Sequence, residues 1–189
     1  MGIELTEFAV EVFTENMVLH GRVRSGRRLS DLINEPEPYI GLDDVEIFPY
    51  ASDVMLGLSK HHHGMINKAS IVFMTEVAKV AGVAGFGDSD ARLAKEAVRI
   101  LVYANQFAIN ADIHLLPGVE LGNMLTQGTT RFLPVTNATV TPTQTNSQVT
   151  SFRRDFMLVN PQQIRYLGGV EPAPADVAAE GEPGEELIG

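Results

Sequence analysis

The sequence predicts a mainly β protein made of two similar small open β-barrels in tandem, each with a short helix. Several segments alternate apolar and polar residues, which is typical of half-buried strands. Residues 64–74 (GMINKASIVFM) and 157–167 (MLVNPQQIRYL) share one pattern, in which an apolar run, an Asn, a polar turn and a second apolar run follow each other. The match continues upstream, where GRRLSDLIN at 26–34 aligns with GVELGNMLT at 118–126.

The first half is expected to hold a hairpin, a helix and later strands. Residues 5–12 and 17–24 alternate in polarity, and Asn16 tolerates the positive φ of a hairpin turn. Leu29, Leu32 and Ile33 fall on one face of a short helix. The elements expected after it are extended segments at 39–42 and 45–48 with a bend between them, a loop at 51–63 and a closing strand pair at 64–77.

The second half repeats this order. Its expected elements are strands at 99–103 and 107–114, a helix within 118–126, strands at 131–135 and 137–140, a polar loop at 141–151 and a closing pair at 156–167. In the alignment Asn105 matches Asn16. Ile164 matches Ile71, and both are expected in the core.

The domain boundaries follow from composition. We expect a first β-barrel repeat at 1–79 and a second at 98–168. Between them, residues 80–97 read as a Gly/Ala-rich linker with a short helix at 90–97. Residues 169–189 are rich in Pro, Gly, Ala and Glu and are expected to form a disordered acidic tail.

Composition limits the partners and the chemistry. The net charge is −10, six acidic residues follow Val170, and no Lys or Arg follows Arg165. This charge argues against nucleic acid as a partner, because cationic side chains supply most of the non-specific affinity for phosphate backbones. The absence of cysteine excludes disulfides and thiolate catalysis. No apolar run is long enough to span a membrane and no signal peptide is recognisable, so a cytoplasmic location is expected.

The repeated hairpins resemble the second sequence signature of Sm proteins, which fold as small SH3-like barrels. The Arg-Gly that Sm proteins place before the Asn is absent from both copies. Residues 10–76 also resemble an uncharacterised bacterial family of small domains with a Gly-Arg-Arg-Leu-Ser-Asp-x-x-Asn stretch and a closing Asn-Lys hairpin. This resemblance implies a fold and no particular activity.

Two clusters are candidate binding sites. Neutral imidazoles of His61, His62 and His63 can bind a metal, but neighbouring residues of a strand point to opposite faces, so a solvated loop is the preferred reading. The other cluster consists of Arg22, Arg24, Arg27 and Arg28. These side chains could bind an anion or a protein partner through bidentate contacts. The preferred interpretation is that they pair with Asp31, Glu35, Glu37 or the acidic tail.

No catalytic residue, cofactor-binding residue or cofactor is predicted. Ser30 lies in no GxSxG elbow, and no phosphate-binding glycine motif appears. We therefore expect a non-catalytic assembly or accessory (scaffold) subunit that binds a protein partner or forms a homo-oligomer. The setting considered for it is a larger bacterial enzyme complex. The alternatives are an Sm-like nucleic-acid-binding module and a small-ligand or metal-binding barrel using the His cluster. Apolar residues expected at the surface for contacts are Val18, Met55, Leu56, Leu58, Leu115 and Leu116.

Overall fold

The computed structural model describes residues 5–50, 59–79, 95–127, 130–144 and 149–170. Its strands are β1 (Thr6–Thr14), β2 (Met17–Ser25), β3 (Tyr39–Pro49), β4 (Ser59–Asn67), β5 (Ile71–Lys79), β6 (Glu96–Ala104), β7 (Phe107–Leu115), β8 (Leu133–Pro142), β9 (Phe152–Val159) and β10 (Ile164–Gly169). The helices are α1 (Leu29–Asn34) and α2 (Leu121–Gln127), and 3-10 turns occupy Lys68–Ser70 and Pro161–Gln163. Neither of these short helices is long and apolar enough to cross a bilayer.

The ten strands form one antiparallel sheet in the order β10-β6-β7-β8-β9-β5-β1-β2-β3-β4. The first half contributes β5-β1-β2-β3-β4 and the second contributes β10-β6-β7-β8-β9, so both halves use the same strand order. They meet where β5 pairs with β9, a contact we call the junction. The mainly β class is confirmed, and β4 and β10 lie at the two ends of the sheet.

Alternating burial explains why these segments are strands. In β7, Phe107, Ile109 and Ala111 are fully buried, while the residues between them are partly exposed. In β1, Phe8, Val10 and Val12 are buried and alternate with partly exposed residues in the same period of two. These two strands therefore turn alternate side chains toward a core, as the sequence pattern predicts. Next to the junction both faces of β5 are covered, because Ile71, Val72, Phe73 and Met74 are all fully buried and divide between the two cores.

A bulge sits at the same place in both halves. Asp44 and Asn137 have φ of 49° and 50°, a left-handed conformation that Asp and Asn tolerate better than most residues. The pairing register shifts next to each of them, opposite β2 and β7. The expected bend after residue 42 is therefore a bulge within one continuous strand β3, because the ladder resumes beyond it.

The alignment of the first hairpins was wrong by one residue. Pairing puts Phe13 opposite Val18 and Tyr103 opposite Ala108, so the loop residue Asn105 corresponds to Glu15 and not to Asn16. In agreement, Asn105 has a φ of 50° and Asn16 is not among the positive-φ residues of the described chain. We call residues that occupy the same place in the two halves counterparts.

Other boundaries also differ from the sequence predictions. Residues 59–63 belong to β4 and are not a loop, because they pair with β3. Glu96 and Ala97 begin β6, where a helix end was expected, and Gly169 ends β10, where the tail was expected to begin. Residues 51–58, residues 80–94 of the predicted linker and residues 171–189 of the predicted tail lie outside the described residues.

The buried side chains form two clusters. The first core lies mainly in the first half and the second core mainly in the second half. Each takes large side chains from the other half. Phe132 and Leu158 belong to the first core, and the second core contains Phe13, Val18, Tyr50, Val72 and Phe73.

The paired isoleucines give a first test. Ile71 is fully buried, as predicted, whereas Ile164 is only half-buried at the edge strand β10. We expect Ile71→Ala to lower the free energy of unfolding by about 2–5 kcal/mol, the usual cost of a large-to-small change in a core. Ile164→Ala should cost clearly less. Urea denaturation of both variants checks this, and equal losses would contradict the assignment.

Asp112 ties the second bulge to β6. Its carboxylate accepts hydrogen bonds from Asn137 Nδ2 at 2.8 Å and from Arg99 Nη1 at 2.9 Å. These two contacts, the amide first, lower the pKa of Asp112 below its ordinary value of 3.8. Because the folded pKa is depressed, the resulting stabilisation is complete above that ordinary value and is lost as the pH falls through the folded pKa.

Asn137→Ala should raise the pKa of Asp112 toward its ordinary value, since the main hydrogen bond to the carboxylate is removed. The variant should then lose less additional stability than the native chain when the pH falls below about 4. Carboxyl titration by NMR, with urea melts at several pH values, measures both effects. An unchanged pKa of Asp112 would contradict this account.

Candidate interaction site at the sheet edges

The three histidines lie on β4, on the first edge of the sheet. His61 contacts Ser59 Oγ through Nε2 at 2.5 Å, and His63 contacts Asp43 Oδ1 through Nδ1 at 2.9 Å. His62 lies between them in the strand, so its side chain points to the opposite face. Within the described ranges, no group of three or more His, Cys, Asp or Glu side chains is arranged to hold a metal ion.

The arginines of the basic cluster are divided among acidic partners. Glu7 accepts from Arg24 Nε at 2.9 Å and from Arg22 Nη1 at 3.1 Å, and the hydrogen bond from Arg24 is the main reason why the pKa of Glu7 is lowered. Arg27 Nη1 lies 2.6 Å from Glu35 Oε1. Arg28 stands at the start of α1. The pairing with Glu35 was anticipated, whereas that with Glu7 was not.

A groove of about 300 Å³ lies between α1, β3 and β4. Its lining includes charged groups of both signs, and several of them already have partners. Lys68 Nζ donates to the carbonyl oxygens of Leu32 at 3.3 Å and Glu35 at 3.0 Å, at the end of α1. Burial lowers the pKa of Lys68. The groove therefore resembles a capped helix end more than a ligand pocket.

The junction between β5 and β9 is the internal strand contact with which the end strands β4 and β10 can be compared. Its ladder contains three residue pairs, with Phe73 opposite Val159, Met74 opposite Leu158 and Thr75 opposite Met157. The backbone N–H of Asn160 also donates to the carbonyl of Val72 at 3.0 Å. Such a short ladder needs support from side chains.

Asn160 supplies part of that support. Its side chain is buried, and its Oδ1 accepts from Gln162 N at 3.0 Å within its own turn. Its amide Nδ2 donates across the junction to the carbonyls of Ile71 at 2.8 Å and Lys68 at 3.4 Å. One side chain thus caps the turn of the second half and binds the turn of the first.

Asn67 is the counterpart of Asn160, at the end of β4. Its Oδ1 accepts from Ala69 N at 2.9 Å, which is the same cap. Its side chain is exposed, and among the described residues its amide nitrogen has no hydrogen-bond acceptor. The feature that closes the junction is therefore present at the β4 edge and is unused there.

Core side chains also cross the junction. Phe132 and Leu158 are buried in the first core, and Asn34 fixes the Phe132 backbone with hydrogen bonds of 2.8 and 3.3 Å. Arg154 Nη2 lies 2.6 Å from Glu11 Oε2 on β1. The second half therefore completes the core of the first.

The β4 edge exposes the counterparts of those two core residues. Met65 is 62% exposed, whereas its counterpart Leu158 is fully buried. Tyr39 is 51% exposed, whereas its counterpart Phe132 is 1% exposed. The difference follows from position, because the junction covers one pair and the described chain leaves the other pair at the end of the sheet.

The β10 edge shows the same contrast. Phe13 and Phe73 stack at the junction with ring centroids 4.3 Å apart and are buried in the second core. Their counterparts Tyr103 and Tyr166 also contact each other, with centroids 6.1 Å apart, but are 41% and 55% exposed. The two ends of the sheet therefore carry the two unlike sides of a junction.

The expected contact surface was only partly right. Leu116 is exposed, but Val18 and Leu115 are buried because β2 and β7 turn them toward the second core. Met55, Leu56 and Leu58 lie outside the described residues. The edges are identified by counterpart residues that are buried at the junction in one half and exposed in the other. The sequence alignment alone does not contain this difference in exposure.

Compared with known proteins, the chain matches no family model, no curated protein and no solved structure. What the two edges do is therefore inferred from their own geometry.

The two asparagines give a matched test of the junction. We expect Asn160→Asp to lower the free energy of unfolding by about 3 kcal/mol, because a buried carboxylate would face two carbonyl oxygens. Asn67→Asp keeps the capping oxygen and should change stability by less than about 0.5 kcal/mol, as for most surface changes. Urea denaturation at neutral pH measures both. Similar losses in the two variants would show that the junction does not depend on Asn160.

Proposed function

We propose that the chain is a non-catalytic assembly or accessory subunit that joins proteins through its two open strand edges. The supporting observation is that the β4 and β10 edges expose apolar residues whose counterparts are buried at the junction. A scaffold of this kind would act in the cytoplasm, within a larger bacterial complex.

Edge strands present unpaired backbone N–H and C=O groups that can accept a further strand. On β4, Lys60 and the three histidines place polar side chains on the outer part of the strand, and such side chains discourage unspecific pairing. The inner part, from Gly64 to Asn67, carries no charged side chain. Within the part of the chain that the structure describes, the β4 edge is thus open over a short, defined stretch.

We further propose that each half is a small, strongly bent barrel of the Sm/SH3 kind. Three features support this. Both halves have the same strand order, both carry the bulge at Asp44 or Asn137, and both join their last two strands through a 3-10 turn capped by an Asn. The bacterial small-domain family that the first half resembles would then share this architecture.

Blocking the edges tests the proposed function. Met65→Lys and Tyr166→Lys each place a charge on one edge, and Val119→Lys places it on an exposed apolar residue before α2 as a matched control. Tagged full-length chains are purified from the native host, and bound proteins are identified by mass spectrometry. We expect at least one edge variant to retain about tenfold less of a partner, the effect of losing one well-packed interface side chain.

The control variant should retain its partners at the native level, and all three variants should melt at the native temperature. Equal retention of every bound protein by all variants would show that the edges do not bind partners.

A further inference from the structure

We propose that the partner is a second copy of this chain, with β4 of one copy pairing with β10 of the next in the geometry of the junction. This inference rests on the proposed function and specifies its partner. One junction is already formed inside the chain, between β9 and β5. The strand β4 is the counterpart of β9, and β10 is the counterpart of β5. Each copy therefore carries both of the strands, β4 and β10, that one further junction requires.

The internal ladder fixes the register between copies. Transferring its three residue pairs to their counterparts places Tyr166 opposite Ile66, Leu167 opposite Met65 and Gly168 opposite Gly64. These positions include two of the exposed apolar side chains at the edges and no charged residue. Pairing in this register covers apolar surface that water otherwise contacts.

Core side chains would also cross the contact between copies, as they cross the junction. At the junction Leu158 and Phe132 enter the core of the neighbouring half. In an assembly, their counterparts Met65 and Tyr39 would pack against the second half of the next copy. The exposed ring pair on β6 and β10 would be covered there, as Phe13 and Phe73 are covered at the junction.

Asn67 would bind the neighbouring copy as Asn160 binds the first half. The counterparts of the Lys68 and Ile71 carbonyls are those of Pro161 and Ile164. The Asn67 amide, which has no acceptor among the described residues, would donate to these two oxygens of the next copy. Its Oδ1 would keep capping its own turn.

Two differences weaken the contact between copies relative to the junction. Arg165 stands at the counterpart position of the buried Val72. The ion pair of Arg154 with Glu11 has no equivalent, because its counterparts are His61 and Leu101. Association between copies is therefore reversible and depends on concentration.

The contact is head to tail, because its two sides are different surfaces. Such heterologous contacts produce closed rings or open chains of copies, whereas a symmetric dimer would require one edge to pair with itself. This difference gives a test that uses two blocked variants of the full-length chain.

Met65→Lys blocks β4 and leaves β10 intact, and Tyr166→Lys does the reverse. By light scattering, the native chain should exceed the 20.6 kDa of one copy in whole multiples as concentration rises. Each variant alone should stay at one copy. An equal mixture should form a two-copy species and stop there, because the remaining ends are both blocked. Val119→Lys should associate like the native chain.

Both substituted side chains are more than half exposed, so the variants are expected to fold, and circular dichroism verifies this. Asn67→Asp provides a test without an added cation. It keeps the capping oxygen, removes the donated amide and should raise the dissociation constant between copies about tenfold.

Three results would overturn the inference: a native chain of one copy at every concentration, association of either blocked variant alone to the native extent, or a mixture that stays at one copy while the native chain associates. A one-copy native chain that still retains another protein through its edges would leave the proposed function intact and refute only the second copy as partner.

Discussion

The structure depends on the contact between β5 and β9. Its ladder is only three residue pairs long, so the backbone alone joins the two halves weakly. Asn160 binds both turns with one buried amide, and Phe132 and Leu158 complete the core of the other half. Because each core contains side chains from both halves, we infer that neither half is fully packed without the other.

Much of the fold could be predicted from the sequence, because period-two burial and the Asn-containing hairpins are local signals. The start of β4 could not, since Ser59 to His63 has no apolar alternation and becomes a strand through its pairing with β3. The match of Asn105 with Asn16 failed because both hairpins contain an Asn, and the register is set by strand pairing. The continuity of β3 through Asp44 was likewise not predicted, because the polar pair Asp43-Asp44 is typical of a bend.

The candidate site was harder to predict, because matched residues have different surroundings. Ile71 and Ile164 look alike in the sequence, yet only the first is covered by a neighbouring strand. The charged clusters attracted attention by composition, and the structure distributes them over separate partners such as Glu7 and Asp43. The burial of side chains at the ends of a sheet depends on which strands are neighbours there, and a local sequence pattern does not predict those neighbours.

The most direct measurement is hydrogen exchange of the outward-facing amides at the two edges, across a range of protein concentrations. Lys68 N donates toward β3 and Val170 N toward β6, so alternation points the amides of Met65 and Leu167 away from the sheet. The account predicts that both become protected together as concentration rises, while an internal amide such as that of Val12 does not change. Exchange that stays equally fast at both edges at every concentration would contradict it.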